Sequence, residues 1–129
     1  VIRLNILRVM AICTVAILNT WGQVRTAAST SQTQGHDIYE RQCATCHGTE
    51  GRGDGPQSIS LSPRPGSLLS AQISAKTDQE LMRIIANGKP RTAMPGWKDS
   101  LSDEEQRAVL AYIRSLIRFS RTMTPPPPH

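Results

Sequence analysis

Cys43, Cys46 and His47 fall within five residues, Cys43-Ala44-Thr45-Cys46-His47. Cys-x-x-Cys-His is the spacing of covalent c-type haem attachment. Two thiols on one side of a short helical turn can each form a thioether to a vinyl group of a single haem, while the imidazole coordinates the iron. Gly48 follows, and a residue without a Cβ lets the backbone pass close to a flat ligand.

The same residue types serve other chemistries, which the surrounding chain disfavours. A thioredoxin-like pair needs a strand-to-helix setting, and no strand-like run precedes Cys43. A tetrahedral zinc site needs a second Cys or His pair, whereas the remaining candidates are Cys13, His36 and His129. A purely structural role for the two cysteines leaves the adjacent histidine unexplained. Gly51-Arg52-Gly53-Asp54-Gly55 is glycine-rich, but no strand leads in, no Lys-Ser/Thr follows and Asp54 would repel phosphate.

Several elements must position the motif. Residues 36–43 place Ile38, Tyr39 and Gln42 or Cys43 at helical offsets, which predicts a short helix running into the motif, with His36 in its solvated first turn. The glycines and prolines of residues 48–66 predict a loop around the haem. A backbone carbonyl near Pro56, Pro63 or Pro65 is expected to accept the second N–H of His47. Residues 67–74 hold Leu68, Leu69 and Ile73, enough for one helical turn. Thr77 to Glu80 is a capping box that opens a helix over 78–86 with Leu81, Ile84 and Ile85 inward, stopped by Asn87-Gly88. A second capping box, Ser102 to Glu105, opens the last helix, whose inward face is Val109, Tyr112, Ile113, Leu116 and Ile117. Arg114, Arg118 and Arg121 suit the negative end of its dipole and need no further role.

The chain opens as an exported protein would. Arg3 and Arg8 precede an uncharged stretch over residues 9–24, and Thr26, Ala27 and Ala28 follow, the order of a secretory signal. Residues 1–28 are therefore expected to be removed. An uncleaved anchor is the alternative, although a spanning helix needs about 20 apolar residues and Asn19, Thr20, Gly22 and Gln23 interrupt this run. The expected organisation is then a flexible joint over 29–34, one domain over 35–121, and a proline-rich tail over 122–129. Removal of the leader takes Arg3, Arg8 and Arg25 out of a net charge of +5. No basic stripe with recognition residues remains, which argues against nucleic acid as a partner. Beyond the leader the only aromatic residues are Tyr39, Trp97, Tyr112 and Phe119. A core this thin points to a chain folded around its cofactor.

Taken together, Gly35 and Tyr39, Cys43 to Gly48, Gly-Asp-Gly-Pro at 53–56, Ala93-Met94-Pro95-Gly96-Trp97, and Leu101 to Glu105 with Tyr112 resemble the class I monohaem cytochromes c over residues 35–119. The loops are most similar to small bacterial cytochromes akin to the haem-c domains of cbb3-type oxidases. This resemblance implies a small all-α fold of three to five helices around one haem c, with the first and last helices crossing at Gly35 and Tyr112. It also implies that Met94 stands opposite His47 on the iron. Met82, Met123, His36 and His129 are the other candidates for that place. Of these, Met82 lies within a helix and Met123 beside the tail, while Met94 sits between Gly88-Lys89-Pro90 and Pro95-Gly96, in a loop stiff enough to hold a thioether. The implied role is that of a periplasmic one-electron carrier, not an enzyme. Its partners would be redox proteins or a membrane respiratory complex, with the membrane met only transiently or through an uncleaved leader. The alternative role is an electron-transfer subunit of a larger oxidoreductase or oxidase.

Overall fold

The computed structural model of the chain describes residues 30–123. The leader and residues 124–129 of the tail lie outside them. All the described residues except Thr30 and Ser31 fall in one compact unit, Gln32–His129. Among them there is no strand, and the fold is all-α, as expected. Helix α1 covers residues 30–42, α2 Ala44–His47, α3 Ala71–Ser74, α4 Asp78–Asn87 and α5 Asp103–Met123, with a 3₁₀ turn at Ser58–Ser60. No helix among the described residues is long and apolar enough to cross a membrane.

Two boundaries differ from those the sequence suggests. Residues 30–34, which read as a flexible joint, are already helical. Extending an existing helix costs far less than nucleating one, so a polar run of modest propensity is carried along by the turns that follow. At the other end α5 continues to Met123, two residues into the expected tail.

Both capping boxes form. Thr77 Oγ1 accepts from the Glu80 amide at 3.2 Å while the Glu80 carboxylate accepts from the Thr77 amide at 2.7 Å. Ser102 and Glu105 repeat the arrangement at 3.2 and 2.8 Å. These backbone hydrogen bonds hold both carboxyls below their ordinary pKa. Gly88 ends α4 with φ 72°, the left-handed region that glycine enters without a steric penalty.

The core joins α1, α4 and α5 through Ile38, Tyr39, Leu81, Ile85, Val109, Leu110, Ile113 and Ile117. The inward face of α5 is wider than its apolar periodicity suggests, because Gln106 and Ala108 are also buried. Gln106 is accommodated by donating from Nε2 to the Leu101 carbonyl at 2.9 Å, so the buried amide keeps a partner. Phe119 does not join the core and is 63% exposed. It lies two residues beyond the buried Ile117, roughly 200° around the helix at 3.6 residues per turn.

Arg114 has a role beyond matching the helix dipole. Its Nε donates to Asp78 Oδ1 at 2.8 Å and its terminal nitrogen to the Lys76 carbonyl at 2.5 Å, which ties α5 to the start of α4. The guanidinium side chain is only 19% exposed, whereas Asp78 is 74% exposed. The contact therefore acts more through geometry than through a large electrostatic gain.

Helices α1 and α5 approach most closely at Gly35. A Cβ there would collide with the Ala108 carbonyl oxygen and come within 3.2 Å of Tyr112 Cβ. Tyr39 is fully buried, its ring 5.2 Å from that of Tyr112, and His36 meets the other ring edge-on at 5.1 Å. Gly35→Ala is expected to destabilise the protein by ~1–2 kcal/mol. Alanine favours a helix over glycine by about 1 kcal/mol, but overlap with a fixed backbone oxygen costs roughly 1–3 kcal/mol or more. Thermal unfolding of the holoprotein checks this, and an unchanged or raised Tm would contradict so close a crossing.

Candidate functional site

Helix α1 ends in a bend at Cys43, after which α2 carries Ala44 to His47. The Cys43 carbonyl accepts from the amides of Cys46 at 3.1 Å and His47 at 2.9 Å, so one turn holds the two thiols and the imidazole together. Both cysteines are free and partly buried. Burial pushes the Cys43 thiol up to about 11, with the neighbouring Cys46 adding to the shift. Cys46 Sγ donates toward Gln57 Oε1 at 3.7 Å.

His47 is half-buried at the end of this turn. Burial lowers its pKa, which favours the neutral imidazole that binds metals. Its Nδ1 is buried and has no hydrogen-bond partner. No carbonyl of Pro56, Pro63 or Pro65 serves it, contrary to expectation.

The following loop folds back over this turn. Gly55 N donates to Cys46 O at 3.2 Å, Gln57 N to Thr45 O at 2.9 Å and Gly53 N to His47 O at 2.8 Å. Gly55 is required by proximity, since a Cβ there would meet the carbonyl oxygens of Thr45 and Ala44. Gly48 has a conformational reason of its own to be glycine. Its φ is 78°, and the space a Cβ would take is filled by the Asp54 carboxylate.

Met94 lies in a second pinned loop, at the end of α4. Lys89 N donates to Met94 O at 3.2 Å, Met94 N to Thr92 Oγ1 at 3.2 Å, and Trp97 N to Ile85 O at 3.0 Å. Gly88 and Gly96 let the two ends of the loop meet, because a Cβ on Gly88 would lie 2.6 Å from the Met94 carbonyl oxygen and one on Gly96 2.7 Å from that of Ala86. Arg91 adopts φ 60° between them. Met94 is half-buried. Its rivals are otherwise engaged: Met82 packs on the core, Met123 is 68% exposed, and His36 contacts Asp37 and Tyr112. His129 lies outside the described residues.

The donor set suits a haem better than a bare ion. Among the described residues no three His, Cys, Asp or Glu side chains are grouped to hold a metal. The turn instead offers two thiols, which haem c uses for its attachment, beside one neutral imidazole.

Comparison with known proteins agrees. Residues 30–113 match the family described as cytochrome c oxidase, cbb3-type, subunit III. The chain is 31% identical over 102 residues to a nicotinate dehydrogenase polypeptide of Pseudomonas putida, covering 74% of this chain and 8% of that one. It is 29% identical over 79 residues to cytochrome c55X of Paracoccus denitrificans, covering 59% and 65%. It is 30% identical over 88 residues to dihydro-haem d1 dehydrogenase of Pseudomonas aeruginosa, covering 67% and 16%. The chain thus spans less than two thirds of the length of each of these relatives. A chain of the reducing HAO-like protein complex of Kuenenia stuttgartiensis has the same fold, with a TM-score of 0.62 and 28% identity over 68% of this chain and 44% of that one. The chain belongs to the cbb3-type subunit III family of c-type cytochrome domains, and its cofactor is a covalently bound haem c.

Proposed function

We propose that the protein is an exported one-electron carrier in which Cys43 and Cys46 hold the haem through thioethers and His47 and Met94 are the axial ligands. The observation that carries this reading is the turn itself, which sets the half-buried His47 imidazole beside two free thiols, with the Cys43 carbonyl accepting from the amides of Cys46 and His47. When bound, the haem supplies the Fe(II)/Fe(III) couple. The chain does the rest. The α2 turn fixes three attachment atoms relative to one another, the 53–57 loop braces that turn, and the 88–97 loop presents a thioether from the far end of α4. A neutral sulfur ligand favours Fe(II) over Fe(III) more than a second imidazole does, which places the potential in a range suited to a carrier. Export to the periplasm agrees with the apolar leader of the sequence and with the oxidising compartment in which c-type attachment is completed. N-terminal sequencing of the periplasmic fraction tests it.

A second reading is favoured by one observation. Two of the relatives are many times longer than the stretch they share with this chain. On this reading the domain is the electron-entry subunit of a larger oxidoreductase, and co-purification from the native membrane separates the two.

Replacing Met94 by Ala is expected to leave the haem covalently attached, abolish the sulfur-to-iron charge-transfer band of the oxidised protein, lower the midpoint potential and open the iron to exogenous ligands. Optical titration and voltammetry read all four. Retention of both band and potential would pass the ligand role to Met82 or Met123.

Lys89, Arg91 and Lys98 are exposed on the Met94 loop and form no ion pair among the described residues. An acidic partner is expected to dock there. Surface charges are screened over about 10 Å at 0.1 M salt, so the rate of oxidation by the anionic reagent ferricyanide should fall as ionic strength rises. A salt-independent rate would indicate an apolar approach instead.

A further inference from the structure

The main chain around His47 is tied down on both sides. His47 N donates to Cys43 O at 2.9 Å, Gly53 N to His47 O at 2.8 Å and Gly48 N to Ala44 O at 2.8 Å. The Gly48 carbonyl accepts twice, from Gly51 N at 3.1 Å and from the Tyr39 hydroxyl at 2.6 Å. Of these five bonds, four run between backbone groups of residues 43–53. Only the fifth comes from a side chain, and only it reaches the turn from α1.

Tyr39 is suited to more than filling space. Its side chain is fully buried, so a hydroxyl without a partner would be costly there. A phenylalanine would supply the same ring packing against Tyr112 without that demand. Burial also lifts the phenol pKa far above its ordinary value, so the hydroxyl keeps its proton and donates. The residue it holds, Gly48, is the one next to His47 and sits at φ 78°, where glycine has wide conformational freedom.

We infer that Tyr39 is a positioning residue, whose hydroxyl sets the orientation of the His47 imidazole by holding the Gly48 carbonyl. Through it the α1/α5 crossing, where the Tyr39 and Tyr112 rings meet, is coupled to the iron ligand. The inference rests on the assignment of His47 as that ligand. Without the tyrosine bond the Gly48 carbonyl is held by Gly51 N alone, so the main chain next to His47, and with it the imidazole, is less firmly fixed. Imidazole orientation relative to the haem sets the unpaired-spin distribution of the ferric form and contributes to its potential.

The test uses the haem-loaded protein and compares Tyr39→Phe with Tyr112→Phe. Each removes one hydroxyl from the same ring pair, but only the first touches Gly48. Proton NMR of the oxidised protein is expected to show displaced haem-methyl and axial-histidine resonances in Tyr39→Phe, with a shifted midpoint potential, and parent-like values in Tyr112→Phe. Superimposable spectra for Tyr39→Phe and the parent would overturn the inference, as would equal changes in both variants. In the parent itself the Tyr39 hydroxyl proton should exchange slowly with solvent, and fast exchange would also overturn it. His47→Gln keeps the two levels apart. Loss of the axial-histidine signals in that variant supports the ligand assignment, whereas their persistence would remove the assignment itself, whatever Tyr39 does.

Discussion

The close approach of α1 to α5 at Gly35 is the constraint on which the rest of the structure depends. Helix α1 leads directly into the Cys43 to His47 turn, and α4 leads directly into the Met94 loop. Helix α5 meets both, through Ala108 and Tyr112 at α1 and through the Arg114–Asp78 pair at α4. A Cβ at position 35 would meet the Ala108 carbonyl, so the α1/α5 crossing has little slack.

The two loops meet their task by different physical means. The 48–57 loop is held by hydrogen bonds from its amides to the carbonyls of the turn it braces, with Gly55 passing where no side chain could. The 88–97 loop is closed on itself and on the last turn of α4, with glycines at both ends and Thr92 bonded between Lys89 and Met94. A one-electron site gains from such stiffness, because a small change in ligand geometry on oxidation keeps the cost of electron transfer low. The apolar complement is modest, and among the described residues the largest fully buried side chains are Tyr39 and Val109. A flat apolar cofactor bound at the turn would add buried area that the side chains do not supply.

Local chemistry was legible in the sequence, and long-range contacts were not. Both capping boxes and the Gly88 stop follow from residues at most three positions apart, and the attachment motif from residues at most four apart. The α1/α5 crossing at Gly35 and Tyr112 became legible only through family resemblance, since no local pattern marks which glycine faces which helix. Arg114 read as a solvated cation because its partners, Lys76 and Asp78, lie more than thirty residues away. The Tyr39 hydroxyl was hidden for a similar reason: a tyrosine at a helical core position looks the same whether or not its oxygen has a task. Gly48 was identified as special from its place beside the motif, whereas the sign of its φ and the placement of Asp54 cannot be read from composition. Phe119 shows the reverse error, an apolar residue counted toward a core that its helical phase turns it away from.

The central claim is that one haem is bound covalently through Cys43 and Cys46. Tryptic digestion of the denatured, acid-acetone-extracted protein releases the stretch between Arg41 and Arg52, which contains both cysteines and His47. Its mass measures the claim directly. The account predicts that this peptide carries one haem and no thiol open to alkylation, while a haem-free peptide with both cysteines alkylated would contradict it.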